Sequence, residues 1–375
     1  MSTTDKIVLI DGSRIIIEAL ARAGADIFIG YPITPANWLY AYAQHRFPQF
    51  LAAPDEITAL QWAAGFSATG KLPVTATSFP GFALMVETLN MLYMMELPVV
   101  IVLAQRLGPS TGSATTGAQG DLLLLRGVIS GGYPLPVFCP SDFVDCWHLA
   151  AQSLKVAHKL RTPVVLLTSK EMVMTHRSFC LSALPQIFKI ERTPFEEDGE
   201  YLPYQPDEQL VPPFLPVGNE KFQVRLNAST HDATGLIRKA TPEAMANTRR
   251  LQEKLLKHLP EFTFYDLDED GSDILIVSYG ISADAAREAL KMLRNRKQKV
   301  SLLILKTLLP LPVEILNLIQ RFKCLVIVEE NLSGLLREVL FGQKPFANVV
   351  QVNKIGSMIT PREIVQETEK CLKAS

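Results

Sequence analysis

Short runs rich in β-branched residues alternate with longer stretches of helical spacing over the first 185 residues, and this constrains the chain more than any other feature. Ile27–Ile29, Val74–Thr77, Val99–Leu103 and Val164–Thr168 read as strands, with a shorter candidate at Pro136–Phe138. Between them Gly12–Ala23, Ala36–His45, Glu56–Thr69, Ala83–Met94 and Asp142–Leu160 read as helices. The last opens with Ser141-Asp142 and repeats Phe143, Trp147, Ala150, Leu154 and Ala157 at helical spacing. Such alternation predicts an α/β fold built on a mainly parallel sheet covered on both faces.

The loops that leave these strands carry the chemistry. Gly30-Tyr-Pro-Ile-Thr-Pro-Ala-Asn37 follows the apolar segment Ala25–Ile29. Pro35 disfavours a helical backbone at Thr34, which predicts Thr34 extended just before a helix and Pro35 at its first position. A hydroxyl and several free N–H groups then lie where small anions bind in α/β units, although a well-capped helix start explains the loop equally. Asp55-Glu56 opens the next helix, which turns Ala/Gly-rich and apolar. Capping and the helix dipole account for Asp55. Glu56, desolvated at the edge of a close-packed helix, suits sharing a proton with a ligand base.

Thr75-Ala-Thr-Ser-Phe-Pro-Gly-Phe82 is a strand end and a tight turn, in which Ser78 and Gly81 allow close approach to the backbone. Ala104-Gln-Arg-Leu-Gly-Pro-Ser-Thr-Gly112 follows the strand at Val99–Leu103. Arg106 is the sole cation between Val99 and Asp121 and is followed by the hydroxyl residues Ser110, Thr111, Ser113, Thr115 and Thr116. Its guanidinium could clamp a carboxylate in bidentate fashion, or pair structurally with Asp121 or Glu56. A hydroxyl at Thr34, an acid at Glu56 and a cation at Arg106 are the set needed to hold a small oxoacid beside a proton-relaying carboxylate.

From about Leu184 to Leu259 the pattern changes. Pro203, Pro206, Pro212, Pro213 and Pro216 crowd one stretch, and a charged helical pattern returns over Thr241–His258, which predicts an extended connection closing with a helix. From Asp273 a second compact α/β unit begins, with strands at Ile274–Val277, Val300–Ile304 and Cys324–Glu329 and helices at Ser282–Asn295, Val313–Arg321 and Leu332–Phe341. It has no glycine-rich phosphate loop, and no short repeat runs through the chain. The expected division is 1–185, 186–265 and 266–375.

The 375 residues suffice for two domains. With 48% hydrophobic and 20% charged residues the composition argues against disorder, and a net charge of −1 marks no nucleic-acid binder. The start of the chain lacks a signal sequence, and Leu84–Leu103 is interrupted by Glu87, Asn90, Glu96 and Pro98, so no membrane span is expected and a cytoplasmic protein is. Cys139, Cys146, Cys180, Cys324 and Cys371 have no zinc or cluster spacing, so they are expected to be buried apolar fillers, and the chain to carry no redox centre or metal site.

The residues collectively resemble the alpha subunit of 2-oxoacid:ferredoxin oxidoreductases, in the style of the 2-oxoglutarate type. The matching segments are Tyr31-Pro-Ile-Thr-Pro35, Asp55-Glu56-Ile, Ala76-Thr-Ser-Phe-Pro-Gly-Phe82, Gln105-Arg106-Leu-Gly-Pro-Ser-Thr-Gly112, Gln119-Gly-Asp-Leu122, Ser229-Thr-His-Asp232 and Val328-Glu-Glu-Asn-Leu332, in family order. The resemblance implies a pyrimidine-type thiamine-diphosphate-binding domain followed by a transketolase C-terminal-like α/β domain used for assembly. It implies that Glu56 hydrogen-bonds the cofactor's aminopyrimidine ring, with Tyr31, Pro32, Ile33, Ser78, Gly81 and Phe82 also on the cofactor. Thr34 and Arg106 would grip the substrate carboxylate, helped by Ser110 and Thr111. The implied reaction is oxidative decarboxylation of a 2-oxoacid to acyl-CoA and CO2 with reduction of ferredoxin. The implied assembly is an alpha2beta2 heterotetramer whose beta subunit holds the diphosphate, Mg2+ and a [4Fe-4S] cluster, and the family's gamma-type domain would be another chain.

Three departures stand out. Phe79 replaces a usual glycine, Ser113-Ala-Thr-Thr-Gly-Ala-Gln119 replaces a pattern with a charged pair, and Ala233 follows His231-Asp232 in place of an acid. They favour an alternative, a non-catalytic assembly subunit with a drifted pocket, whereas Thr34, Glu56 and Arg106 favour catalysis. A single-chain thiamine enzyme is disfavoured, because Gly120-Asp121-Leu122 is not the diphosphate-binding Gly-Asp-Gly motif.

Overall fold

A computed structural model describes residues 7–192, 195, 199–342 and 348–374. In chain order the strands are β1 (Ile7–Ile10), β2 (Ile27–Gly30), β3 (Gln49–Ala52), β4 (Pro73–Thr77), β5 (Val99–Gln105), β6 (Val137–Phe138), β7 (Pro163–Ser169), β8 (Arg177–Cys180), β9 (Tyr265–Asp268), β10 (Ile274–Tyr279), β11 (Ser301–Leu305), β12 (Thr307–Leu309), β13 (Cys324–Glu329) and β14 (Val349–Asn353). The α-helices are α1 (Gly12–Ala23), α2 (Asn37–Arg46), α3 (Glu56–Ala68), α4 (Phe79–Leu84), α5 (Val86–Met94), α6 (Leu122–Gly127), α7 (Phe143–Leu160), α8 (Lys170–Met174), α9 (Pro242–His258), α10 (Ala283–Asn295), α11 (Val313–Ile319), α12 (Leu335–Phe341) and α13 (Pro361–Ala374).

Seven strands form the larger sheet in the order β12-β6-β7-β5-β4-β2-β3, with every pair parallel except β12 with β6. Every residue of β4, β5 and β7 is buried, which follows from a position inside a sheet covered on both faces. The second sheet runs β14-β13-β10-β11-β9, parallel except for its edge strand β9. The two units are stitched together, since β12 comes from the second unit yet pairs with β6 of the first sheet.

The strongly periodic elements lie where their sequence predicts. Asp142 caps α7 through the Asp145 N–H at 2.8 Å, and Asp11 caps α1. The expected helix over 83–94 is instead two helices, α4 and α5, joined at Met85, because the Ser78 turn starts a helix earlier. The strands that the sequence reading missed (β1, β3, β8, β9, β14) are mostly half-exposed or exposed; β3, β8, β9 and β14 lack a clear apolar run, and β1 is a run of only four residues. The last expected helix begins three residues late, at Leu335, because the Asn331 side chain accepts from the Gly334 and Leu335 N–H groups and holds the preceding turn.

The connection before α9 is held by cations. Buried Arg161 donates to the carbonyls of Pro203, Pro212 and Pro213, while Arg192 donates to those of Gly24 and Gly70. Beneath it Glu96 is fully buried between Arg250 and Lys254, with the lysine 2.6 Å away. Burial alone would raise the Glu96 carboxyl, but these cations outweigh it and hold it at about 2. Two cysteines depart from the expectation of isolated fillers: Cys324 on β13 and Cys371 on α13 form a disulfide that ties the last helix to the second sheet. Cys139 and Cys146 are free and buried, as fillers are.

Candidate active site

Neighbouring parallel strands β5, β4, β2 and β3 send their carboxyl ends to one edge of the larger sheet, where ligands of such sheets bind. The loop after β3 ends in Asp55, which takes the cap of α3 by accepting the Thr58 N–H at 2.7 Å. That leaves Glu56, the first helical residue, without a structural duty. It is only 7% exposed, yet its carboxylate receives no hydrogen bond from the described residues. A buried acceptor without a partner is costly unless a ligand supplies the donor.

The turn after β4 is shaped around this carboxylate. A Cβ built on Gly81 would lie 2.2 Å from Thr77 Oγ1 and 2.6 Å from Glu56 Oε1, so only glycine fits. Ser78, at the cap of α4, is wholly buried, and its Oγ has no hydrogen-bond partner. The orphaned Ser78 hydroxyl, the Glu56 carboxylate and a side-chain-free glycine thus share the space between α3 and α4.

Arg106 follows β5 directly. Its Nη1 donates to the Thr34 carbonyl at 2.6 Å, so the structure brings together two of the three predicted residues. The contact uses the Thr34 backbone and leaves its hydroxyl free. The expectation of Pro35 as the first helical residue does not hold: α2 starts at Asn37, with its first bond from the Tyr40 N–H to the Ala36 carbonyl. Arg106 Nε is buried and finds no acceptor among the described residues, so the guanidinium keeps donor capacity that those residues do not use. No carboxylate lies within ion-pair distance of Arg106 among the described residues. Asp121 acts on it only through space, and burial pushes the Asp121 carboxyl up to about 7 against the pull of Arg106.

Gln119 joins this loop to the second unit. Its amide donates to the Tyr279 carbonyl at 2.8 Å, and its Oε1 accepts from Ser282 Oγ at 2.6 Å and from the Glu330 N–H at 2.7 Å. The clamp carries Glu330, Asn331 and Leu332 to a cavity of about 380 Å³ that they line together with Phe79, Arg106 and Asp121. The second unit, expected from the resemblance to serve assembly, therefore contributes side chains to the cavity at Arg106. Sequence reasoning did not single out Asp121, Glu330 and Asn331 as site residues. Their one signal was membership of the Gln119-Gly-Asp-Leu122 and Val328–Leu332 segments, since nothing local links positions 211 residues apart.

The other predicted residues are distributed unevenly. Tyr31 and Pro32 are exposed at the mouth of the loop, and Ile33 packs partly against the core. Phe82 has no exposed surface and belongs to the core itself. Ser110 and Thr111 are exposed, in a segment that folds back on itself through the Leu107 N–H to Thr116 carbonyl bond. In the same segment Gly117 leaves room for Glu171, which accepts its N–H at 3.0 Å; a Cβ there would fall 1.7 Å from Glu171 Oε2. In Ser229–Asp232, Asp232 organises a turn through Thr234 and Leu236, while His231 stacks on Tyr204. Among the described residues no cluster of three or more His, Cys, Asp or Glu could hold a metal ion, and no helix is long and apolar enough to cross a membrane.

Comparison with known proteins gives a consistent set of likenesses. Residues 18–250 match the family described as "Pyruvate flavodoxin/ferredoxin oxidoreductase, thiamine diP-bdg", and residues 272–364 match "Pyruvate:ferredoxin oxidoreductase core domain II". The 2-oxoglutarate synthase subunit KorA of Methanocaldococcus jannaschii is 30% identical over 369 residues, covering 96% of this chain and 98% of that one. A solved 2-oxoglutarate:ferredoxin oxidoreductase from Magnetococcus marinus, with 2-oxoglutarate, coenzyme A and succinyl-CoA bound, superposes with a TM-score of 0.91 at 26% identity. The superposition covers 99% of this chain and 66% of that one. A split-gene transketolase, solved as an inactive beta4 tetramer, covers 97% of this chain and 98% of its own at a TM-score of 0.56 and 17% identity, which speaks to the fold alone.

Proposed function

This chain belongs to the family of 2-oxoacid:ferredoxin oxidoreductase alpha subunits, and we propose that it forms the pyrimidine-side half of a thiamine diphosphate site at which a 2-oxoacid is oxidatively decarboxylated. The products are acyl-CoA and CO2, with ferredoxin reduced. 2-Oxoglutarate is the favoured substrate, in keeping with the names of the relatives. The observation that carries the reading is Glu56, a mostly buried carboxylate with no hydrogen bond from the described residues, facing a glycine that cannot be replaced without displacing it.

The residues present fit the cofactor. Glu56 would share a proton with the aminopyrimidine by donating it to a ring nitrogen, Ser78 Oγ would supply a polar contact, and Gly81 would leave room beside them. When bound, thiamine diphosphate supplies a nucleophilic carbon for the 2-oxo group. Arg106 would take the substrate carboxylate on the donors that the Thr34 contact leaves unused, with its Nη1 held by the Thr34 carbonyl so that the guanidinium arrives pre-oriented. The Thr34 hydroxyl, left unused by that contact, can donate to the same carboxylate. Tyr31 and Pro32, and the exposed Ser110 and Thr111, would act only where a partner chain folds over them.

A beta subunit completes the site and carries the diphosphate, Mg2+ and iron–sulfur functions. Exposed apolar side chains support such a partner: Ile57 and Trp62, each 41% exposed, share α3 with Glu56, and Leu51 lies close by on a cavity of about 500 Å³. We assign an alpha2beta2 heterotetramer in the cytoplasm, and the division 1–185, 186–265 and 266–375 within the chain.

The test is reconstitution with the beta subunit, followed by viologen reduction with several 2-oxoacids in the presence of coenzyme A. Turnover with a 2-oxoacid is expected. No turnover with any of them, alongside normal assembly, would overturn the reading and leave a non-catalytic assembly subunit.

A further inference from the structure

Two carboxyl groups besides Glu56 lie at the site, and both line the Arg106 cavity. Asp121 sits in the wall nearest the guanidinium and is coupled to it. Glu330 arrives from the second unit and is placed independently of it. Its Oε1 accepts the Ile359 N–H at 3.0 Å, while its Oε2 receives no hydrogen bond from the described residues although the residue is only 3% exposed. Phe79, Leu332 and Ile355 make much of the surrounding wall apolar, and Arg106 is the one cation lining the cavity among the described residues. With Arg106 occupied by the 1-carboxylate, the tail of a 2-oxoacid meets apolar side chains and an acid. A neutral tail loses nothing there. A tail ending in a second carboxylate meets Glu330 with no second cation to offset the repulsion, and is held only where the acid keeps its proton and donates it.

We propose that Glu330 is a specificity-determining residue that sets the charge the substrate tail can carry: as the acid it donates a hydrogen bond from Oε2 to a distal carboxylate, and as the anion it rejects one. This rests on the reading of Arg106 as the holder of the 1-carboxylate. Burial pushes the Glu330 carboxyl up to about 7; the Ile359 N–H and Lys354 oppose the rise, while Glu171 adds to it. Arg106 and Asp121 are the remaining charged groups facing the cavity. The switch therefore falls close to neutral pH, where a dicarboxylate 2-oxoacid and a monocarboxylate one are told apart most sharply.

The experiment uses the chain reconstituted with its beta subunit. The ratio of kcat/KM for 2-oxoglutarate to that for 2-oxobutanoate is expected to fall about tenfold from about pH 6 to about pH 8, following the protonated fraction of a single acid titrating near neutrality. In Glu330→Gln, whose amide is a neutral donor at every pH, the ratio should be flat. The affinity of the same complex for glutarate relative to butyrate, measured by calorimetry without turnover, should fall in parallel in the wild type alone. A flat wild-type ratio, or a Glu330→Gln complex that keeps the slope, would overturn the proposal. Absence of turnover with every 2-oxoacid, while glutarate binding keeps its pH dependence, would count against the oxidoreductase reading and for the role of Glu330.

Discussion

Gly81 and Glu56 occupy each other's space: a Cβ on the glycine would fall 2.6 Å from the glutamate's Oε1. Thr77 Oγ1 blocks the other side at 2.2 Å, so the clash cannot be relieved by moving the glutamate alone. Gly81→Ala is therefore expected to destabilise the chain by about 1–3 kcal/mol through overpacking, and to weaken thiamine diphosphate binding by displacing Glu56. Gly65→Ala on α3, where a Cβ meets nothing within 4 Å, serves as the control. Thermal melts and cofactor titration of the two variants check the contrast.

Arg106 is held in place by its Nη1 bond to the Thr34 carbonyl. Lysine keeps the charge but loses the fork, which is worth about 1.5–3 kcal/mol in a charge-assisted pair. Arg106→Lys should raise KM for the 2-oxoacid about 10- to 100-fold while leaving assembly intact, read from steady-state kinetics and gel filtration.

Gln119 satisfies a carbonyl, a hydroxyl and an N–H of the second unit from a single buried side chain. Gln119→Ala strands the Glu330 N–H and leaves the Tyr279 carbonyl and the Ser282 hydroxyl the longer contact they make with each other, at 3.3 Å. Each buried unsatisfied group costs about 1–3 kcal/mol, so the melting temperature should drop by more than for a typical surface change. Two separate transitions in calorimetry would show that the clamp couples the units.

Asp121 gives a pH signature. Its folded-state pKa of about 7 lies above the unfolded value, so the folded chain holds a proton that the unfolded chain gives up. That contribution is fully present below the unfolded pKa and is lost as pH rises through about 7. The wild-type melting temperature should accordingly decline toward neutral pH more steeply than that of Asp121→Asn, with the variant gaining most above pH 7. Parallel melting curves across this range would contradict the account.

Much of this was legible in the sequence because the buried strands and the capped helices carry strong local signals. The apolar runs of β4, β5 and β7 and the Asp142 cap of α7 need no tertiary context to be read. Thr34, Glu56 and Arg106 were legible as strand-exit residues, since ligands of parallel sheets gather there. What stayed hidden depended on long-range partners. The edge strands β3, β9 and β14 carry no continuous apolar run, and β12 exists because a segment of the second unit pairs with β6. Ser110 and Thr111, implied as substrate contacts by the resemblance, lie exposed in a loop closed by the Leu107–Thr116 bond, a closure that no local pattern shows. Glu330 reaches Arg106 through Gln119, across a separation that no local pattern encodes. The cysteine expectation failed for the same reason, since Cys324 and Cys371 meet only when α13 docks on the second sheet.

The central claim is that Glu56 relays a proton for a bound cofactor rather than merely starting a helix. The direct measurement is the turnover of viologen reduction by the chain reconstituted with its beta subunit, comparing wild type with Glu56→Gln under saturating 2-oxoacid, coenzyme A and thiamine diphosphate. The glutamine keeps the size of the side chain and, with Asp55 as the cap, leaves α3 intact. The account predicts normal assembly and a kcat lower by about 10²- to 10⁴-fold, the span of a lost general acid–base. Unchanged turnover in a properly assembled complex would contradict it.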